Sequence, residues 1–134
     1  MRNEVDWRAV GQGAAVSIGW SLILIVVANI GGVGTDSNWI LVLYPVHLLG
    51  AVGGGAVAAR GKLDTPLMHG ALAGAIAYVV IGTISTLINV SAGHGAPTVA
   101  VLLFNTFMLA SFGLLGGFLA ARRAADRARR PPAS

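Results

Sequence analysis

The chain has 134 residues, of which 55% are hydrophobic and only 10% are charged, with a formal net charge of +4. Soluble domains carry about 25% charged residues, so this chain has too little polar surface to cover a globule in water, and its composition predicts an integral membrane protein. The absence of cysteine excludes disulfides, thiolate metal sites and cysteine nucleophiles.

Four apolar segments are each long enough to cross the bilayer, whose hydrocarbon core of roughly 30 Å requires about 20 helical residues. They lie near residues 9–30, 38–59, 66–90 and 97–121, and the turns between them are short and rich in Gly, Ser or Pro. Short connections make neighbouring helices antiparallel. The sequence therefore predicts an all-α four-helix bundle in residues 1–121, followed by a basic tail in residues 122–134.

The basic residues are confined to three places: the segment before the first span, the second turn, and the tail after the fourth span. The first and third turns contain none. Because Lys and Arg concentrate in cytoplasmic loops, this distribution predicts that both termini lie in the cytoplasm. The basic charge is then a signal of topology, and we expect no nucleic-acid partner.

The second and fourth spans end in the same pattern, GGxxAAR, at residues 54–60 and 116–122. Weaker matches pair Gly13-Ala14 with Gly70-Ala71, and Asn29-Ile30 with Asn89-Val90. These matches predict an internal duplication, with two helical hairpins of the same orientation related by a pseudo-twofold axis along the membrane normal.

Pairs of glycines four residues apart recur in the last three spans. Such pairs place two glycines on one helix face, which lets another helix backbone approach closely in lipid. They predict packing inside the bundle or, alternatively, a subunit interface. The residues are Gly50 and Gly54, Gly70 and Gly74, and Gly113 and Gly117.

A few polar side chains fall in the outer halves of the spans. His47 is the strongest single candidate for a site, because an ionisable ring in an apolar span is costly unless it has a partner. The set consists of Asn29, Tyr44, His47, Asn89 and Asn105. We consider two interpretations, a polar pocket open to the outside and simple hydrogen bonds between helices, each worth about 1 kcal/mol in lipid.

The remaining histidines do not form a metal site with His47, because His69 falls near the cytoplasmic end of the third span and His94 in the outer turn. No Asp or Glu occurs inside a span, which disfavours ion-coupled transport. The sequence contains no Gly-x-Ser-x-Gly nucleophile elbow, no His-Glu-x-x-His zinc-binding motif and no phosphate-binding P-loop. We therefore expect no enzymatic activity, no cofactor and no metal.

The tail places five arginines directly after the fourth span, where they anchor the helix end and can bind anionic lipid headgroups. They are Arg122, Arg123, Arg127, Arg129 and Arg130.

Three segments, Asp6-Trp7-Arg8-Ala9-Val10, Gly50 to Ala56 and His69 to Gly74, resemble a family of small Gly/Ala-rich four-helix membrane proteins found mainly in haloarchaea, a domain of unknown function. The resemblance covers roughly residues 6–121 and leaves out the arginine-rich tail. It implies the four-helix fold and a place in the plasma membrane of a prokaryotic cell, and it adds nothing about mechanism.

Two functions follow from these features. The first is a membrane protein that acts by assembly, as a homo-oligomer or as an accessory subunit of another membrane protein, because faces of small residues are abundant and reactive groups are few. The second is a protein that binds or conducts a small solute or ion through the outer-half polar set.

Overall fold

A computed structural model describes residues 4–33, 37–62, 64–93 and 95–129. These ranges contain four helices and no strand: α1 (Trp7–Ile30), α2 (Ile40–Ala58), α3 (Pro66–Ser91) and α4 (Val99–Ala128). All four are long and apolar enough to cross a membrane. The prediction of an all-helical, multi-pass membrane protein is therefore confirmed.

The helix starts follow from local sequence. Asp6 is the N-cap of α1, and its carboxylate accepts hydrogen bonds from the backbone N–H groups of Arg8 and Ala9 at 3.0 and 3.1 Å. Pro66 opens α3, where a missing N–H costs nothing. The Thr98 hydroxyl accepts from the N–H of Val101 at the start of α4.

The helix bounds match the expected spans to within two residues except at the end of α4. The turn after α2 passes through Gly61, whose φ of +76° is a left-handed conformation that side chains with a Cβ rarely adopt. The helix α4 continues past residue 121, the expected end of the fourth span, to Ala128. The first arginines of the basic tail are consequently helical.

The helices are arranged as a flattened bundle. Going around it, α1 packs on α2, α2 on α4, α4 on α3, and α3 on α1. The helices α2 and α3 also meet across the middle, whereas α1 and α4 have no contact in the described part of the chain. Hence α2 and α3 occupy the centre, and α1 and α4 lie at opposite edges.

The interior contains small side chains, and the large apolar ones face outward. Ala58 and Ala73 are fully buried, whereas Ile23, Leu41 and Phe107 are more than half exposed. A soluble protein has the reverse distribution because its surface faces water. In lipid the outer surface is solvated by hydrocarbon, and the helices gain most by bringing their backbones close together.

Candidate functional site

Of the five outer-half polar residues, the structure brings two together. The Tyr44 hydroxyl on α2 donates to the side-chain oxygen of Asn105 on α4 at 3.0 Å. The Asn105 amide nitrogen donates to the Val101 carbonyl of its own helix at 2.9 Å. Tyr78 of α3 lies near this pair, so three helices meet at this point.

The other three members lie apart from this group. Asn29 is exposed and donates to the Ile25 carbonyl one turn earlier in α1. Asn89 is exposed near the end of α3. His47 is half-buried on α2 and makes no hydrogen bond to any described residue. His94, the outer-turn histidine, lies outside the described residues.

The predicted glycine pairs of α3 and α4 face each other. A Cβ added at Gly70 would collide with the backbone of Gly113, and one added at Gly74 would collide with the backbone at Leu109. Gly117 lies in the same way against Pro66. The two antiparallel helices therefore approach to backbone contact along about two turns, a separation that only glycine permits at these positions.

Gly113 also contacts α2. A Cβ at Gly55 would meet the Gly113 carbonyl, and one at Gly116 would meet the backbone at Val52. Gly55, Gly70 and Gly113 thus form a junction at which the backbones of three helices touch. No side chain larger than hydrogen fits there without moving a backbone.

The crossing of α1 with α2 combines small residues with hydrogen bonds. Gly13 lies against Gly54, and the Ser17 hydroxyl donates to the Gly50 carbonyl at 3.1 Å. Gly50 itself leaves room for the ring of Trp20, whose indole N–H donates to the Val46 carbonyl at 2.9 Å. Both side-chain hydrogen bonds end on backbone carbonyls of α2 and hold α1 in register.

The glycines matched by the GGxxAAR pattern pack on different neighbours. Gly54 faces α1, whereas Gly116 faces α2. Within the second hairpin, the contact that corresponds to Gly13 against Gly54 is Gly70 against Gly113. Gly54 and Gly116, which the pattern matches, therefore do not make equivalent contacts.

A second stripe of small residues on α1 has no neighbour among the residues that the structure describes. A Cβ added at Gly11, Gly19 or, on α2, Gly53 would meet no atom within 4 Å. Ala15, between the two glycines of α1, is exposed. Ala15, Gly19 and Gly53 line an apolar groove of about 480 Å³ between α1 and α2. We call Gly11, Ala15, Gly19 and Gly53 the open stripe.

The sequence analysis missed the open stripe, although Gly11, Ala15 and Gly19 follow each other at the spacing of four residues that it used in the other helices. The spacing that indicates a packing face was therefore present in the sequence of α1. What the sequence could not show is that the α1 face used inside the bundle carries Gly13 and Ser17 instead.

No protein family, curated protein or solved structure matches this chain. The likeness to haloarchaeal membrane proteins accordingly rests on the three sequence segments alone. Two of those segments, 6–10 and 69–74, meet in the structure at the basic end of the bundle.

Their meeting point is His69, which is fully buried. Its Nε2 accepts a hydrogen bond from the backbone N–H of Asp6 at 2.9 Å, and its Nδ1 lies 2.8 Å from the Thr65 carbonyl oxygen. A backbone N–H can only donate, so Nε2 carries no proton, and Nδ1–H donates to Thr65. The neutral ring thereby fixes the start of α1 to the start of α3.

The carboxylate of Asp6 adds an ion pair to this connection. Its Oδ2 lies 3.1 Å from Nζ of Lys62 in the turn before α3. The hydrogen bond from the Ala9 N–H, followed by the Lys62 ammonium, lowers the pKa of Asp6 below its ordinary value. Asp6, Lys62 and His69 together form what we call the N-terminal tie, which the sequence analysis did not predict.

The arginines of the tail lie on or just after α4. Arg122, Arg123, Arg127 and Arg129 are all exposed, and Arg130 lies outside the described residues. In the described part of the chain no group of three His, Asp or Glu side chains is placed to hold a metal ion.

Proposed function

We propose that this chain is a small multi-pass protein of a prokaryotic plasma membrane that acts by assembly, as a homo-oligomer formed through the open stripe of α1 and α2. Both termini lie in the cytoplasm in this proposal, as the distribution of basic residues predicts. The single observation that carries the proposal is the open stripe, a line of small residues with no intramolecular neighbour.

The argument begins with what glycine does elsewhere in the bundle. At Gly13, Gly55 and Gly113 a Cβ would collide with a neighbouring backbone, so these glycines have a packing function. Gly11, Gly19 and Gly53 face open space. Glycine in a helix interior is less favourable than alanine by about 1 kcal/mol, and lipid gains nothing from its small size. A helix that packs against this face would account for all three.

A second copy of the chain is the partner that fits this surface best. In a dimer with twofold symmetry the same patch meets itself, so a groove flanked by Gly19 and Gly53 receives the equivalent helix of the other copy. The stripe also contains no charged residue and no large side chain that would prevent this approach. We therefore propose a symmetric dimer with α1 at its centre.

The test measures association of the full chain in liposomes. Fluorophores are attached to a single cysteine introduced at Ser91, and energy transfer between copies is followed as the protein is diluted in lipid. Ala15→Leu and Gly19→Leu should weaken association by about tenfold, since overpacking of this kind costs about 1–3 kcal/mol and 1.4 kcal/mol corresponds to tenfold. Ala100→Leu is the matched control, because Ala100 is exposed on α4 outside the stripe.

If energy transfer in Ala15→Leu and Gly19→Leu equals that in the control Ala100→Leu and in the wild-type chain, the open stripe is refuted as the interface. A wild-type chain that stays monomeric at every dilution would refute the homo-oligomer. In that case co-purification of another membrane protein, lost in Gly19→Leu and retained in Ala100→Leu, would identify an accessory subunit that uses the same surface.

Binding or conduction of a small solute is the second candidate function. It is supported by an outer groove of about 270 Å³ between α3 and α4, which Thr83, Thr86 and Thr106 line beside Tyr78. Permeation of small polar solutes into liposomes tests it: Thr86→Val and Asn105→Leu should lower the rate if this groove and the Tyr44–Asn105 pair form the path. A rate equal to that of protein-free liposomes would exclude it.

The internal duplication belongs to the same proposal. The contacts support a register that relates Gly13 to Gly70 and Gly54 to Gly113, at offsets of 57 and 59.

A further inference from the structure

A cavity of about 310 Å³ lies at the basic end of the bundle, between the end of α2 and the last turns of α4. Three arginines surround it: Arg60 from the turn after α2, and Arg123 and Arg127 from α4. Alanines such as Ala59 and Ala124 form its floor. The cavity exists because these short side chains leave space that longer ones would fill.

The charge around this cavity is of one sign. No carboxylate lines it, and in the described ranges no carboxylate forms an ion pair with any of the three arginines. Arg123 and Arg127 are four residues apart on one helix, a spacing at which like charges repel. The lysine of the same turn, Lys62, is already paired with Asp6. An anion in the cavity would relieve this repulsion.

The helix dipole explains part of this arrangement. Basic residues stabilise a helix C-terminus, which accounts for Arg60 just after α2 and Arg127 in the last turn of α4. It does not account for Arg123, which lies five residues before the end of α4, or for a cavity that all three arginines line.

We infer that Arg60, Arg123 and Arg127 form a binding site for a phosphate group, supplied by the headgroup of an anionic phospholipid. Guanidinium groups bind phosphate oxygens with paired, charge-assisted hydrogen bonds, and three arginines line this one cavity. The cavity lies where the apolar part of α2 and α4 gives way to charged residues, which is the level of lipid phosphates in a bilayer. Acyl chains would then run along the apolar outer faces of the same helices.

The test is calorimetric titration of the detergent-solubilised full chain with dihexanoyl phosphatidylglycerol, with dihexanoyl phosphatidylcholine and with inorganic phosphate. The titrations are run at about 1 M salt, where the screening length is about 3 Å and diffuse attraction to the basic tail is suppressed. We expect phosphatidylglycerol to bind the wild-type chain and phosphatidylcholine to bind at least about tenfold more weakly.

Two pairs of adjacent residues supply matched variants. Arg123→Gln removes a cavity arginine, whereas Arg122→Gln removes the same charge from an exposed residue outside the cavity. Ala124→Leu fills the cavity without changing charge, whereas Ala125→Leu adds the same bulk at an exposed position. We expect the first member of each pair to weaken binding by about tenfold and the second to change it by less than about twofold.

Equal weakening by Arg122→Gln and Arg123→Gln would overturn the site, because it would mean that only the total charge of the tail matters. Unchanged binding in Ala124→Leu would overturn it as well. If binding is weakened in this variant, circular dichroism checks that the variant is folded. Binding of inorganic phosphate as tight as that of phosphatidylglycerol would overturn the assignment to a lipid.

Discussion

Adding one methyl group at Gly54 should destabilise the bundle, whereas the same change at the adjacent Gly53 should not. A Cβ at Gly54 would collide with the Gly13 carbonyl and the Ser17 hydroxyl of α1. The carbonyl belongs to helix backbone, so α1 must move away. A Cβ at Gly53 would meet no atom within 4 Å.

The magnitude follows from these contacts. Overpacking costs about 1–3 kcal/mol, and displacement of Ser17 also threatens its hydrogen bond to Gly50, worth about 0.6 kcal/mol in a membrane. Both variants gain about 1 kcal/mol of helix propensity, which cancels when they are compared. Gly54→Ala should therefore be less stable than Gly53→Ala by roughly 2–3 kcal/mol.

The measurement is equilibrium unfolding of the two variants in detergent, at a dilution where the wild-type chain is monomeric, so that association through Gly53 does not contribute. Gly32, in the outer turn, is unsuitable as a control because its φ of +63° strains any residue with a Cβ. If the free energies of unfolding of Gly53→Ala and Gly54→Ala differ by less than about 0.5 kcal/mol, the close crossing of α1 and α2 is wrong.

Three further predictions concern the N-terminal tie and the topology. His69→Phe should lower the free energy of unfolding by about 2 kcal/mol, because it leaves the N–H of Asp6 without an acceptor. A thermal melt in detergent measures this loss of stability. An unchanged melting temperature would contradict the hydrogen bond. The pKa of Asp6 is lower in the folded chain than in the unfolded one, so its contribution is complete above the ordinary value of about 3.9 and is lost as the pH falls through the folded value. Melting temperature should consequently fall with acidification in that range more in the wild-type chain than in Asp6→Asn, and parallel curves would count against the hydrogen bond from Ala9 and the ion pair with Lys62 together. In intact cells a cysteine introduced at Ser37 should react with an impermeant thiol reagent and one at Ser134 should not; the opposite pattern would invert the topology.

Much of the fold could be predicted because the bilayer imposes simple constraints. Four apolar segments of the right length predicted four helices, and α1, α2 and α3 begin and end within two residues of the expected bounds. The exception is the end of α4, where the helix continues through Arg122 and Arg127. Apolarity defines only the part of a helix inside the membrane, and Ala and Arg favour helix beyond it.

The polar residues show where sequence reasoning fails. The sequence placed Tyr44 and Asn105 in the same half of the bilayer, and they do form a hydrogen bond. Depth alone does not specify the direction of a side chain around its helix, and Asn29 and Asn89 of the same set are exposed. His69 binds the backbone of Asp6, a residue 63 positions away, through a contact that no local pattern encodes.

The three consecutive glycines of α2 separate the two kinds of information most clearly. Their presence indicated a closely packed helix, because small residues are what lets backbones meet in lipid. Successive residues of a helix point about 100° apart, and the structure assigns each glycine to a different surrounding: Gly54 to α1, Gly55 to α4 and Gly53 to the open stripe. Composition and periodicity determine that a helix has such faces. Which neighbour covers each face depends on how all four helices pack at once, and only the tertiary structure decides it.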